Sequence, residues 1–124
     1  GLEARALGGA PGVRSARFAG DCASDEDNNQ LLLEKLRGVE DRRARYVSVI
    51  ALAEAGRLVR TFCGSVEGRI TREPRGANGF GYDPCFFYPP FGCTFGEAPP
   101  EKKLEVSHRG RAVEAMTRWL TGER

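Results

Sequence analysis

Tyr46-Val47-Ser48-Val49-Ile50-Ala51-Leu52 is the stretch from which the fold can be read. β-Branched and aromatic side chains dominate it, and they suit a pleated, packed surface better than a helix. The run predicts a strand, largely buried. Glu54-Ala55-Gly56 then reads as a turn, and Leu58 to Val66 as the returning strand of a hairpin. Gly64 and Gly68 suggest a bulge or a bend in that return.

Upstream, Ser24 and Asp27 have the S-x-x-D spacing of a capping box. Behind them Leu31, Leu32, Leu33 and Leu36 form an apolar face, and Gly38 is a suitable stop. A helix is expected from about Glu26 to Arg37. Before it, the turn Gly8-Gly9-Ala10-Pro11-Gly12 leads into a short helical stretch, about Val13 to Phe18. Downstream, Glu73 to Pro100 holds six Pro and five Phe, too many prolines for helix and too many aromatics for a disordered linker. An ordered loop is expected there, with a short strand at Cys85–Phe87. Farther on, Ala112, Val113, Met116, Trp119 and Leu120 lie on one helical stripe, with Ser107 as N-cap and Gly122 as terminator.

The 124 residues amount to one domain, 40% hydrophobic and 29% charged. Nineteen basic against 17 acidic residues leave +2, with sixteen of the nineteen being Arg. That excess is too small for a protein that coats a polyanion, so no nucleic-acid partner is expected. No apolar run reaches the ~18 residues of a membrane span, and no signal-peptide pattern opens the chain. Cys22, Cys63, Cys85 and Cys93 never form C-x-x-C, and His108 is the one histidine, so no zinc site is expected. Reduced thiols and a cytoplasmic protein follow from this cysteine usage.

Two constellations offer chemistry. In Pro74-Arg75-Gly76-Ala77-Asn78-Gly79-Phe80-Gly81-Tyr82-Asp83-Pro84, three glycines allow close backbone approach, and aromatics flank a carboxylate. Phe80 can stack on a flat ring while Asp83 accepts hydrogen bonds at its edge; the alternative is a tight turn whose Phe and Tyr plug the core. The second constellation is Lys103 with Ser107-His108-Arg109-Gly110. Cations in a first helical turn oppose the helix dipole, so a phosphate or a carbonyl oxygen would explain them; a solvated basic face is the alternative. Asp21, Asp25, Glu26 and Asp27 match no calcium loop and read as helix capping. Arg42, Arg43 and Arg45 read as a solvated face.

Together these segments resemble the inosine triphosphate pyrophosphatase family, which hydrolyses non-standard purine nucleoside triphosphates. Four stretches carry the likeness: Gly1-Leu2 through Gly8–Gly12 to Ser15–Gly20, Asp27-Asn28-Asn29 before Leu32-Leu33, Pro74 to Pro84, and Ser107 to Gly110. The resemblance implies an α/β fold, an elongated mixed sheet with flanking helices in two lobes around a substrate cleft. It implies a substrate-binding set of Phe80, Gly81, Tyr82, Asp83, Lys103, His108 and Arg109. It also implies Mg2+ as cofactor, a homodimer, and hydrolysis of ITP, dITP or XTP to monophosphate and pyrophosphate. The family's N-terminal strand and helix, and its general-base aspartate, would lie before Gly1. Residues 1–124 therefore read as a single partial domain with no catalytic or metal residue of its own, expected to be inactive alone. The alternative is a nucleotide-binding fragment or subunit that needs a complementary chain.

Overall fold

The computed structural model describes residues 1–122. Its strands are β1 (Leu2–Ala4), β2 (Arg43–Glu54), β3 (Arg57–Ile70), β4 (Phe86–Tyr88) and β5 (Cys93–Thr94). The helices are α1 (Asp25–Lys35), α2 (Pro100–Val106) and α3 (His108–Leu120). The class is α/β, and the strands form one sheet in the order β1-β2-β3-β4-β5, every pairing antiparallel.

The hairpin is longer than its apolar run because the pairing continues through polar residues at both ends. Ala55 and Gly56, with φ of 51° and 76°, make the two-residue left-handed turn that matches strand twist. Burial alternates along β2, so the strand is half-buried: Ala44 and Tyr46 face the core, while Val49 is 61% exposed. The register slips between Leu52 and Ala53 and is regular at Gly64 and Gly68, which pair with Ser48 and Ala44. Gly64 therefore marks a close approach, since a Cβ there would run into the backbone of His108 and Ala112. A missing side chain lets the start of α3 lie directly on β3.

Helix α1 begins with the expected box: Ser24 Oγ accepts from Asp27 N, and the Asp27 carboxylate accepts from Ser24 N, both at 3.1 Å. It starts one residue before the expected Glu26, and Leu36 caps its end. Buried Asn28 accepts from Ala19 N and donates to Ala16 O, holding the preceding 3-10 turn (Gly12–Arg17) against the helix. The Pro- and Phe-rich segment is ordered because its aromatics supply the centre of the core. Phe86 and Phe95 are fully buried, with ring centroids 5.1 Å apart, and Tyr46 lies 4.5 Å from Phe86. Leu2, Leu32, Leu36, Val66 and Ile70 complete this cluster.

Arg42 departs from the solvated face expected of it. Its guanidinium donates to the carbonyls of Leu36, Ile70 and Thr71 at 2.6, 3.1 and 2.5 Å, tying the end of α1 to the end of β3. Arg43 and Arg45 remain outside and pair with Asp41 and Glu3. On α3, Ala112 is buried and Trp119 meets Phe62 at 5.9 Å, whereas Val113 and Leu120 of the same stripe are exposed. All four cysteines are free. Among the described residues no helix is long and apolar enough to cross a membrane.

Candidate functional site

The loop from Pro74 to Pro84 is shaped by Gly79, whose φ of 74° and missing Cβ leave room for the Asp83 carboxylate to fold back beneath it. There Asp83 is 3% exposed. Its Oδ2 accepts from Phe80 N at 3.0 Å and from Lys103 Nζ at 2.5 Å, while Oδ1 accepts from the Tyr46 hydroxyl at 3.0 Å. The carboxylate expected to meet a ligand's edge is thus bonded inward on both oxygens. A buried charge needs such company, because unpaired it would bear the full loss of hydration.

The rest of the loop is tied to distant elements. Gly81 N donates to Asp25 at 2.8 Å, and Asn29 donates to Gly81 O at 2.9 Å, so the start of α1 grips the loop. Asp25, read from sequence as capping alone, has this second role. Tyr82 is 4% exposed and gives its hydroxyl to Ser15 O at 2.6 Å, the core-plugging alternative. Phe80 does the opposite and is 56% exposed.

Two cations meet at that ring. Lys103 Nζ, from α2, lies 4.5 Å from the Phe80 centroid, and Arg109 Cζ, from α3, lies 4.9 Å from it. Both distances are within reach of the ring's quadrupole. Ser107 sets their spacing by ending α2 and capping α3, its Oγ accepting from Gly110 N. His108 begins α3 and stacks on Tyr46, with centroids 4.7 Å apart and planes 12° from parallel. Burial, followed by nearby positive charges that include Arg109 and Lys103, pushes its pKa down to about 4, so it is neutral at pH 7. Its Nδ1 is buried and has no hydrogen-bond partner among the described residues.

Phe80, Asp83, Lys103, His108 and Arg109 are therefore gathered in one place, while Gly81 and Tyr82 anchor the loop. Tyr46, which touches both Asp83 and His108, is not among the residues that the sequence singles out. Its signal is a phenol inside an apolar strand, since a buried Tyr O–H requires a partner. Among the described residues no three His, Cys, Asp or Glu side chains gather as a metal site. Hollows of about 510 and 860 Å³ lie at the sheet's other face and edge, where Arg45–Glu3 and Arg43–Asp41 pair in contact with solvent.

Residues 1–119 match the Ham1 family. The chain is 53% identical over 118 residues to a dITP/XTP pyrophosphatase of Syntrophobacter fumaroxidans, covering 95% of this chain and 51% of that protein. It is 48% identical over 123 residues to a dITP/XTP pyrophosphatase of Staphylococcus epidermidis, covering 99% and 63%. Among solved structures, the Staphylococcus aureus Ham1 protein superposes with a TM-score of 0.96 at 43% identity, over 100% of this chain and 65% of that one. A Coxiella burnetii HAM1 protein gives 0.93 at 44% identity, covering 98% and 64%. The chain thus spans about half to two thirds of the length of these relatives.

Proposed function

Because the chain belongs to the Ham1 family, we propose that it forms the base-recognition wall of a cytoplasmic enzyme that hydrolyses non-standard purine nucleoside triphosphates. ITP, dITP or XTP would be converted to the monophosphate and pyrophosphate, clearing these nucleotides from the pool. The observation that carries the reading is the exposed Phe80 ring with Lys103 and Arg109 at its face. A purine can displace one cation and stack on the ring, while the other is left beside its edge.

The edge chemistry favours a 6-keto purine. Hypoxanthine and xanthine present the O6 acceptor where adenine presents an amino donor. Lys103 and Arg109 can only donate, and neutral His108 adds one N–H. An adenine amino group set against such donors stays unpaired, which costs about 1–3 kcal/mol in a closed pocket. Asp83, bonded to Lys103, acts here by holding the lysine. This replaces its expected role as direct acceptor for the purine N1–H.

The Mg2+ implied by the family resemblance finds no set of ligands among the described residues, and the recognition argued above does not pass through it. The homodimer rests on the same resemblance. Exposed Val49, Leu58 and Val59 on the hairpin, with Val113 and Leu120 on α3, are compatible with a covered face.

The test is pyrophosphate release from ITP, dITP, XTP and ATP by the protein carrying this chain, together with IMP and AMP binding. The keto purines are expected to be preferred, and Phe80→Ala to cost about 1–3 kcal/mol of binding for every purine alike. Equal handling of ITP and ATP, or unchanged binding in Phe80→Ala, would overturn the reading.

A further inference from the structure

We infer that Tyr46 is a positioning residue for base discrimination, its hydroxyl locking the Asp83 carboxylate inward and its ring backing the His108 imidazole. The inference rests on the proposed reading of this site as a purine pocket.

Tyr46 occupies a strand position whose surroundings leave it little freedom. It pairs with Leu2 on β1 and Val66 on β3, so its Cα is fixed from both sides. Its ring is 6% exposed and nearly parallel to those of His108 and Phe95, at 12° and 3°, with Phe86 4.5 Å away. The hydroxyl therefore has one direction available, and Asp83 Oδ1 lies along it at 3.0 Å. Burial and the neighbouring carboxylate raise the phenol's pKa well above its usual value, so it remains a donor at any working pH.

Among the described residues the phenol is the one donor to Oδ1; Phe80 N and Lys103 Nζ both act on Oδ2. Two anchored oxygens fix the carboxylate plane, and that plane sets where Lys103 Nζ sits over Phe80. With both oxygens occupied, the Asp83 carboxylate offers a ligand no acceptor, and Lys103 and Arg109 beside it can only donate. Without the hydroxyl, the carboxylate is free to pivot about Cβ–Cγ, and a buried acceptor is left wanting a donor. Where the freed oxygen faces the 6-position, an adenine amino group pairs with it and the O6 of hypoxanthine is repelled by it, whereas the N1–H that hypoxanthine carries beside O6 meets no such oxygen there. Tyr46 thereby excludes the wrong base without touching the right one.

Tyr46→Phe keeps the ring, the stack and the core volume, and removes one oxygen. In the protein carrying this chain, IMP and AMP dissociation constants are measured for the wild type, Tyr46→Phe, Asp83→Asn and the double variant, with thermal melting beside them. Tyr46→Phe is expected to reduce the IMP-over-AMP preference roughly three- to tenfold, and to have no further effect on it in the Asp83→Asn background. A lowered melting temperature with an unchanged preference would overturn the inference, as would additive effects in the double variant. A ligand-free readout separates the inference from the reading on which it rests. The side-chain resonances of Lys103, assigned by its substitution in lysine-labelled protein, should shift in Tyr46→Phe. If the wild type shows no preference for IMP, the purine-pocket reading fails, whatever Lys103 does. If the preference is present and Lys103 does not move, the lock fails alone.

Discussion

Near the core the β2–β3 hairpin buries Ala44, Tyr46, Val66 and Ile70, while toward its turn Val49, Leu58 and Val59 are exposed and α3 supplies the cover at Phe62. The same two strands, in continuous register apart from one slip, thus have a packed end and a bare end. The contrast separates two causes that usually act together. β-Branched residues and a left-handed turn suffice to make the strands, and burial is a separate matter decided by what lies opposite them. The candidate site lies at the boundary: Tyr46 belongs to the packed end, and His108 enters where Gly64 opens β3 to the helix.

Substitutions along this line should grade accordingly. The largest effect is expected at Phe86→Ala, where a fully buried ring is lost from the aromatic cluster. Denaturant unfolding should show a loss of about 3–5 kcal/mol, and a loss below about 1 kcal/mol would mean that the packed end is no better packed than the bare one. Gly64→Ala comes next, because its methyl would press on the backbone of His108 and Ala112. Unfolding should cost about 1–3 kcal/mol, with the His108 ring resonances shifting as α3 is lifted. Unmoved resonances would show that the strand, and not the helix, absorbs the strain.

A third effect depends on pH. The His108 pKa, about 4 in the folded chain, is below its ordinary 6.5, so the unfolded chain binds this proton more readily. Stability from the neutral imidazole is therefore complete above pH 6.5 and is lost progressively as pH falls toward 4. His108→Phe, which retains a ring against Tyr46, should have a flatter stability profile within that window and a parallel one above it. Melting curves from about pH 4 to 8 measure the difference, and identical slopes would mean that the imidazole is solvated. The smallest effect is expected at Leu58→Ala, where a side chain 66% exposed should change stability by no more than about 0.5 kcal/mol. A larger loss in the isolated chain would show that the bare end is covered in solution.

Features that act within a few residues are legible in the sequence itself. The Ser24–Asp27 box, the turn at Ala55-Gly56 and the Ser107 cap are of this kind, because the chemistry and the geometry share one stretch of chain. What escapes depends on partners far away in sequence. Arg42 looks like a surface cation until the carbonyls of Leu36, Ile70 and Thr71 converge on it. Gly64 looks like a bulge until α3 arrives. For the site, residue type and family resemblance pick out the candidates, but not their orientations. Nothing local says that Asp83 turns inward while Phe80 turns out, since both follow from Gly79 and from where Tyr46 and Lys103 lie.

Ser107 is the one residue between α2 and α3, serving as the C-cap of one and the N-cap of the next. Lys103, His108 and Arg109 therefore form a cassette whose internal spacing belongs to the segment itself. Grafted onto another sheet that offers a glycine where β3 has Gly64, residues 100–120 would carry the backbone positions of these three residues in fixed relation. The aromatic platform and its buried carboxylate would stay behind. Changes to the loop thus reach the donors through Lys103, which Asp83 holds, and leave the spacing of His108 and Arg109 on α3 as it is.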